Sequence, residues 1–440
     1  MSELKINSYV LSELPPEKRR QLIRRVRANN SNVEGVVRGI IDDVQQRGDE
    51  ALLEHTLRLD GAALTANGIR VSEEEFAAAQ EKLDPKLAAA LETAIANIRK
   101  HHSAQVPQES WMHEVRPGVI AGERWTPIAS VGLYVPRGKG SFPSVVAMLC
   151  TPAVLAGVPE IAVCTPPGPD GTVDAASLVA ARMCGVKTVY KMGGAQAVAA
   201  LTYGTQSVTP VEKIVGPGNQ YVSAAKRLLY GAIDPGTPAG PSESIILCDG
   251  SADPELTARE LIVEAEHGPD SAALLVTHAD EVAAAVVKII PSLIAKLPPK
   301  RRGFVESVMA GYGGIVHTSS LRESLAFVNE WAPEHLRVIT ESPFELLPRI
   351  QHAGEVLLGS NASIPLGNFV IGVNAILPTA GMARSQSCVG VLDFMKRSGF
   401  AYVTDEGAAA IAPVAVTLAE YEDFPAHAAA AQYVLDRINR

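Results

Sequence analysis

Apolar residues fall into two rhythms along the chain, and the change between them divides it. Up to about residue 110, stretches such as NVEGVVRGIIDDVQQRGDEALLEHTLRLDG place apolar residues at helical spacing, with a glycine break after Arg47. That spacing predicts amphipathic helices. From about residue 128 the rhythm shortens. ASVGLYVPRG, EIAVCTP, KTVYKMGG and EKIVGPGN are β-type runs that each end in Gly or Pro, with helical stretches such as Ala175–Cys184 and Ala195–Tyr203 between them. A second series follows: ESIILCDG, AALLVTH, GGIVHTS, LRVITES and GEVLLGS, most of them separated by helical patterns over about 253–267, 279–296 and 319–331. Strands that alternate with helices imply βαβ units and parallel sheets. The last 55 residues return to a helical pattern that ends in AHAAAAQYVLDRINR.

The predicted organisation is therefore α/β. A helical segment over 1–125 packs with a first α/β domain over 126–239. A second α/β domain covers 240–385, and a helical segment covers 386–440. Ligands in open α/β sheets bind beyond the carboxyl ends of the strands, so the residues just after each run are the ones to inspect.

Composition narrows the function classes. The chain has 440 residues, 47% hydrophobic and 20% charged, as expected of a soluble protein of two or three domains. Net charge is −9 with both signs well mixed, so no basic tract invites nucleic acid. No apolar run is long enough to cross a bilayer, and the N-terminus lacks the apolar core of a secretory signal. Cys150, Cys164, Cys184, Cys248 and Cys388 form no C-x-x-C pair, and most lie in apolar runs. They read as buried free thiols, and the cytoplasm is the expected location.

Several short stretches offer chemistry. In LIVEAEHGPDS, Glu264 and His267 are three apart on a helix that Gly268-Pro269 stops, so they share a face. The pair reads either as two metal ligands or as a solvated acidic last turn. GPGNQY, Gly216 to Tyr221, and MGGAQA, Met192 to Ala197, each follow a strand and open a helix. Each is a tight βα turn or a cradle for a dinucleotide phosphate, and GPGNQY lacks the third glycine of G-x-G-x-x-G. In NEWAPEHLRV, Glu334 and His335 put two titratable groups of different natural pKa before a strand, as exposed loop residues or as a proton-transfer pair. AGPSES offers serine hydroxyls, PLGNFVIGVNAILPTAG is a loop of the kind that lines a site, and EDFPAHAAAA holds His427 with Glu422 five residues before it.

Together and in this order, GLYVP, KMGGAQA, KIVGPGN, PAGPSE, EAEHGPDS, APEHL, LPT and DFMKR resemble the histidinol dehydrogenase family, from about residue 30 to the end. The resemblance implies two Rossmann-like parallel-sheet domains and a zinc-dependent homodimer. It also implies oxidation of a primary alcohol through an aldehyde to a carboxylate with two NAD+ in succession. Tyr134, Gln196 and Asn219 match NAD-binding positions. Glu334 and His335 match the catalytic pair, the first activating water and the second removing the alcohol proton. The zinc positions fall on Glu264, His267, Asn368 and His427, which join Ser242, His335 and Glu422 around the substrate. His427 and Glu422 belong to a segment that crosses to the partner subunit. The departures from the family pattern cluster. Glu264 replaces the usual glutamine and Asn368 the usual aspartate, a reciprocal exchange that keeps one carboxylate, one amide and two imidazoles. Phe369 lacks the usual hydroxyl, Ala375 replaces a histidine, and Arg137 stands where glycine is usual. The expectation is a divergent branch, such as the sulfopropanediol dehydrogenases, with Arg137 either reaching an anionic substrate or standing as a solvated surface arginine. Histidinol dehydrogenase itself and a non-catalytic relative are the rivals.

Overall fold

The structure is a computed structural model that describes residues 4–24, 31–137, 140–237 and 240–440. Gly138 and Lys139 of VPRGKGSFPS, and Ala239 at the expected domain boundary, lie outside the described residues. In chain order the described strands begin with β1 (Ser8–Val10), β2 (Ser110–Arg116), β3 (Val119–Pro127) and β4 (Ser130–Tyr134). Next come β5 (Glu160–Thr165), β6 (Thr188–Lys191), β7 (Lys213–Val215), β8 (Glu243–Cys248) and β9 (Ala272–Thr277). The last four are β10 (Gly314–His317), β11 (His335–Ile339), β12 (Glu355–Leu358) and β13 (Met395–Val403).

Two sheets are parallel throughout. One runs β6-β5-β4-β7 and the other β1-β10-β9-β8-β11-β12. Each builds outward from its first long strand and then crosses to the other side, the order of a doubly wound sheet. The order reverses at β4/β7 in the first sheet and at β8/β11 in the second. Strands β8, β9 and β11 are buried along their whole length, because helices cover both faces. Their side chains pack into one apolar cluster with Leu261 and Val286, and another with Phe327 and Trp331. In the first sheet Val198, Leu201 and Val222 pack with Val37 and Val44 of the Ser31–Arg47 helix.

Both parallel sheets fall in one compact unit, Met1–Gln105 with Ala129–Asp393. The second unit joins Val106–Ile128 to Phe394–Arg440. It holds an antiparallel sheet, β13-β3-β2, and a pair of helices, Asp405–Tyr421 and Pro425–Ile438. The expectation of plain helical segments at both ends missed this sheet. Its strands give no buried apolar run, since every residue of β2 is exposed and β13 is nearly so. The hairpin signal was Pro117-Gly118, where Gly118 takes a left-handed φ of 74° between β2 and β3.

Candidate functional site

The expected cofactor residues of the first sheet stand where its strands end. Tyr134 closes β4, Gln196 lies in the helix after β6, and Asn219 follows β7. Gly216 passes so close to β4 that a Cβ there would sit 2.1 Å from the Tyr134 carbonyl oxygen, and its φ of 128° suits glycine alone. The Tyr134 hydroxyl accepts a hydrogen bond from Gly194 N at 3.0 Å, and burial pushes its pKa up. Asn219 Oδ1 caps the Gln220–Leu228 helix, accepting from Tyr221 N at 3.0 Å and Val222 N at 3.2 Å. Lys226 of that helix reaches back to Gly216 O at 3.2 Å, and burial lowers its pKa to about 8. Gln196 is fully buried, and among the described residues neither amide atom has a hydrogen-bond partner. An unpartnered buried amide in a βα turn beyond the carboxyl ends of the strands fits a dinucleotide.

Arg137 sits on this side too. Its guanidinium donates to Thr172 O at 3.1 Å and acts on the carboxylates of Asp170 and Asp60. Among the described residues no hydrogen bond or ion pair joins it to the cluster around Glu264. The arginine is held by the turn after β5, which competes with the expected substrate contact.

The second sheet reverses the rule that directed attention to strand ends. Glu243, His335 and Glu355 are the first residues of β8, β11 and β12, so this cluster stands at the amino edge. Register explains their meeting: His335 lies opposite Ser244 of β8 and Glu355 of β12. His335 Nδ1 is 2.8 Å from Glu355 Oε2, and its Nε2 is 3.9 Å from Glu264 Oε1. Glu334 is buried, and its Oε2 accepts from Glu243 N at 2.7 Å. Ser242, partly buried, immediately precedes β8, and its carbonyl accepts from Ala272 N at 3.0 Å.

Glu264 and His267 reach the cluster from a 3-10 turn, Glu264–His267, that continues the Pro254–Val263 helix. Residues three apart eclipse on such a turn, and His267 Nδ1 lies 2.5 Å from Glu264 Oε2. Asn368, on the short Ile364–Phe369 helix, donates from Nδ2 to Glu264 Oε1 at 3.0 Å. Its Oδ1 is buried and has no hydrogen-bond partner among the described residues. Among the described residues no group of three or more His, Cys, Asp or Glu forms a metal cluster. The set here is a carboxylate, an imidazole and an amide whose unpartnered oxygen is itself a ligand type, which fits a divalent ion. Phe369 is 57% exposed and presents no polar atom. Ala375 follows Asn374, which donates to Met148 O at 2.8 Å.

Charge separates the members of the cluster. Burial works against the Glu264 carboxylate, but His335, His267 and the Asn368 amide hold its pKa at about 2. Burial likewise opposes the His335 imidazolium, yet Glu264, the Glu355 hydrogen bond and Glu334 push it up to about 9. Burial drives Glu334 well above the carboxylate range, and Glu264 and Glu243 add to that. Two carboxyl groups pushed in opposite directions beside one imidazole suit acid–base work.

His427 and Glu422 belong to the second unit. Both are exposed, at the turn between its two helices, where Asp423 takes a left-handed φ of 58°. The His427 ring lies 5.1 Å from that of Phe424.

Sequence reading did not single out Glu355, Glu243, Glu260 or Arg337. One signal was available: Arg337 interrupts the apolar run LRVIT, and a charge inside a buried strand requires a partner.

A doubly wound two-sheet protein with a dinucleotide-type switch point and a buried carboxylate–imidazole cluster belongs to the class of cofactor-dependent α/β enzymes. A family model, histidinol dehydrogenase, matches residues 23–435. The chain is 52% identical over 427 residues to a histidinol dehydrogenase homolog of Cereibacter sphaeroides, covering 97% of each. It is 50% identical over 420 residues to a histidinol dehydrogenase of Synechocystis, covering 96% of this chain and 97% of that one. The crystal structure of histidinol dehydrogenase from Elizabethkingia anophelis superposes with a TM-score of 0.94 at 34% identity, covering 99% of each chain. The protein belongs to the histidinol dehydrogenase family, NAD-dependent oxidoreductases that act on CH–OH groups and carry an alcohol to an acid in two steps. Among the described residues no helix is long and apolar enough to cross a membrane.

Proposed function

We propose that this protein is a zinc-dependent homodimer whose substrate is a small anionic or polyhydroxylated primary alcohol. The first candidate is 2,3-dihydroxypropane-1-sulfonate, oxidised to sulfolactate with two NAD+. The observation that carries the reading is the Asn368–Glu264 hydrogen bond at 3.0 Å. It brings together the two exchanged residues, so one carboxylate and one amide still share the site. Glu264, His267 and Asn368, with His427 of the partner subunit, would hold zinc, which when bound supplies a Lewis acid for the alcohol and aldehyde oxygens. Tyr134, Gln196 and Asn219 hold NAD+, the hydride acceptor of both oxidations.

This chain's own groups move the protons. Nδ1 of His335 is engaged by Glu355, which leaves Nε2 to take the proton of the substrate hydroxyl once the imidazolium has lost its own, a step favoured as pH rises toward about 9. Glu334, in its ionised form, takes a proton from the water that attacks the aldehyde, and the proton affinity that burial gives it makes that carboxylate a stronger base than a solvated one. Ser242, and Glu422 of the partner subunit, hold the rest of the substrate. Exposed Leu418, Tyr421, Phe424 and Tyr433 on the helix pair of the second unit support its docking on a second copy.

The choice of substrate rests on the departures from the family pattern, which the resemblance places beside the substrate. Histidinol carries an imidazole that asks for hydrogen-bonding partners, and Phe369 and Ala375 offer none. A buried polar group without a partner costs about 1–3 kcal/mol. The name of the Synechocystis relative favours a second reading, L-histidinol oxidation. NADH production with each alcohol decides between them. The sulfonate diol should exceed L-histidinol in kcat/KM by at least about tenfold, and turnover of histidinol alone would reverse the choice.

A further inference from the structure

On β11, His335 and Arg337 are alternate residues and share one face of the sheet. Glu260 and Glu264 are one turn apart on the helix packed against it. The two pairs meet as rungs: His335 Nε2 is 3.9 Å from Glu264 Oε1, and Arg337 Nε is 3.5 Å from Glu260 Oε2. Two strand residues span about 6.6 Å and four helical residues about 6 Å, so both rungs fit at once. The first rung belongs to the site. The second is fully enclosed, with Arg337 at 0% and Glu260 at 3% exposure.

Glu260 has further partners. Its Oε1 accepts from Ser363 Oγ at 2.5 Å and its Oε2 from Ile364 N at 2.8 Å. Those residues open the Ile364–Phe369 helix, so a buried carboxylate caps the helix that carries Asn368. Arg337 fixes the approach to that helix by donating to the carbonyls of Leu357, Gly359 and Ser360. The path then closes, because Asn368 returns to Glu264, four residues from Glu260.

We propose that Glu260 is a positioning residue that holds the Asn368 helix in register with Glu264. It thereby sets the spacing of the two exchanged ligands. The consequence for metal rests on the zinc reading above, whereas the register does not.

Hydrogen exchange on chelator-treated full-length protein tests the register without metal. Glu260→Ala should speed exchange over residues 363–369 by about tenfold or more while β9 stays protected. Glu260→Gln, which keeps an acceptor for Ile364 N, should recover most of that protection. If Glu260→Ala does not fold, Ser363→Ala, which strips one bond from the same carboxylate, should give a smaller change in the same segment. Zinc affinity, measured against a chromophoric chelator, should fall about tenfold or more in Glu260→Ala and partly return in Glu260→Gln. Wild-type exchange rates at 363–369 in folded Glu260→Ala, or in Ser363→Ala should Glu260→Ala not fold, would overturn the proposal. Wild-type protein that takes up no zinc would overturn the metal reading and its affinity consequence, while exchange still decides the register.

Discussion

His335 and Glu355 begin adjacent parallel strands, and the imidazole Nδ1 stands 2.8 Å from the Glu355 carboxylate. Both side chains are buried, so the carboxylate fixes the ring's orientation and leaves Nε2 as the atom that exchanges a proton with substrate. Glu355→Gln should lower kcat about 10–100-fold with a smaller effect on KM. Glu355 is also one of the groups that raise the His335 pKa. Losing its charge should move the pH-rate limb that reports His335 to lower pH. An unshifted limb with unchanged kcat would contradict the role.

Glu334 and His335 are neighbours in sequence with separate tasks. Glu334→Gln keeps the shape and the acceptor for Glu243 N but loses the base. It should slow aldehyde-to-acid oxidation more than alcohol-to-aldehyde oxidation, whereas His335→Ala should slow both. Stopped-flow measurement of each half-reaction checks this, and equal losses from the glutamine variant would remove Glu334 from water activation.

The parallel sheets were legible because buried strands announce themselves as apolar runs closed by Gly or Pro. So were Glu264 and His267, since i, i+3 neighbours share a face. Tyr134, Gln196 and Asn219, which the resemblance supplied, stand beyond the carboxyl ends of the first sheet's strands, where the rule for open α/β sheets looks for a ligand. That rule pointed away from the cluster in the second, where Glu243, His335 and Glu355 open their strands. Glu355 was invisible for a different reason: its contact with His335 is a matter of register between two strands 20 residues apart in sequence, which no local pattern encodes. The second unit's sheet was missed because exposed strands carry no apolar run.

Asp60, at the end of the Asp49–Asp60 helix, has a buried Oδ2 with no hydrogen-bond partner among the described residues. Burial raises its pKa from 3.8 to about 6, and Arg137 opposes the rise. The folded state therefore binds this proton more tightly than the unfolded chain, and stability falls as pH rises from 3.8 through about 6. Above that the cost is constant. Asp60→Asn should be the more stable protein at neutral pH by on the order of 1 kcal/mol, after discounting the shift for partial solvent screening. Below the unfolded pKa the advantage should vanish. Thermal melts at both pH values check the sign, and an equal gap at both would attribute the difference to packing.

His427 and Glu422 lie on an exposed helical turn flanked by Tyr421, 90% exposed, and Phe424, 50% exposed. Among the described residues, the one ring that lies against this imidazole is that of Phe424. If His427 completes the site of a second copy, two individually inactive variants should repair each other. His427→Ala removes the donated ligand, and His335→Ala removes the base of the receiving site. In a mixed dimer one site carries both lesions and the other carries neither. Equal amounts, dissociated and allowed to reassort, should therefore regain about a quarter of wild-type activity, since half the dimers are mixed and each has one intact site. Gel filtration should show the activity with the dimer. No recovery after demonstrated reassortment, or full turnover from a monomer, would place His427 outside the shared site.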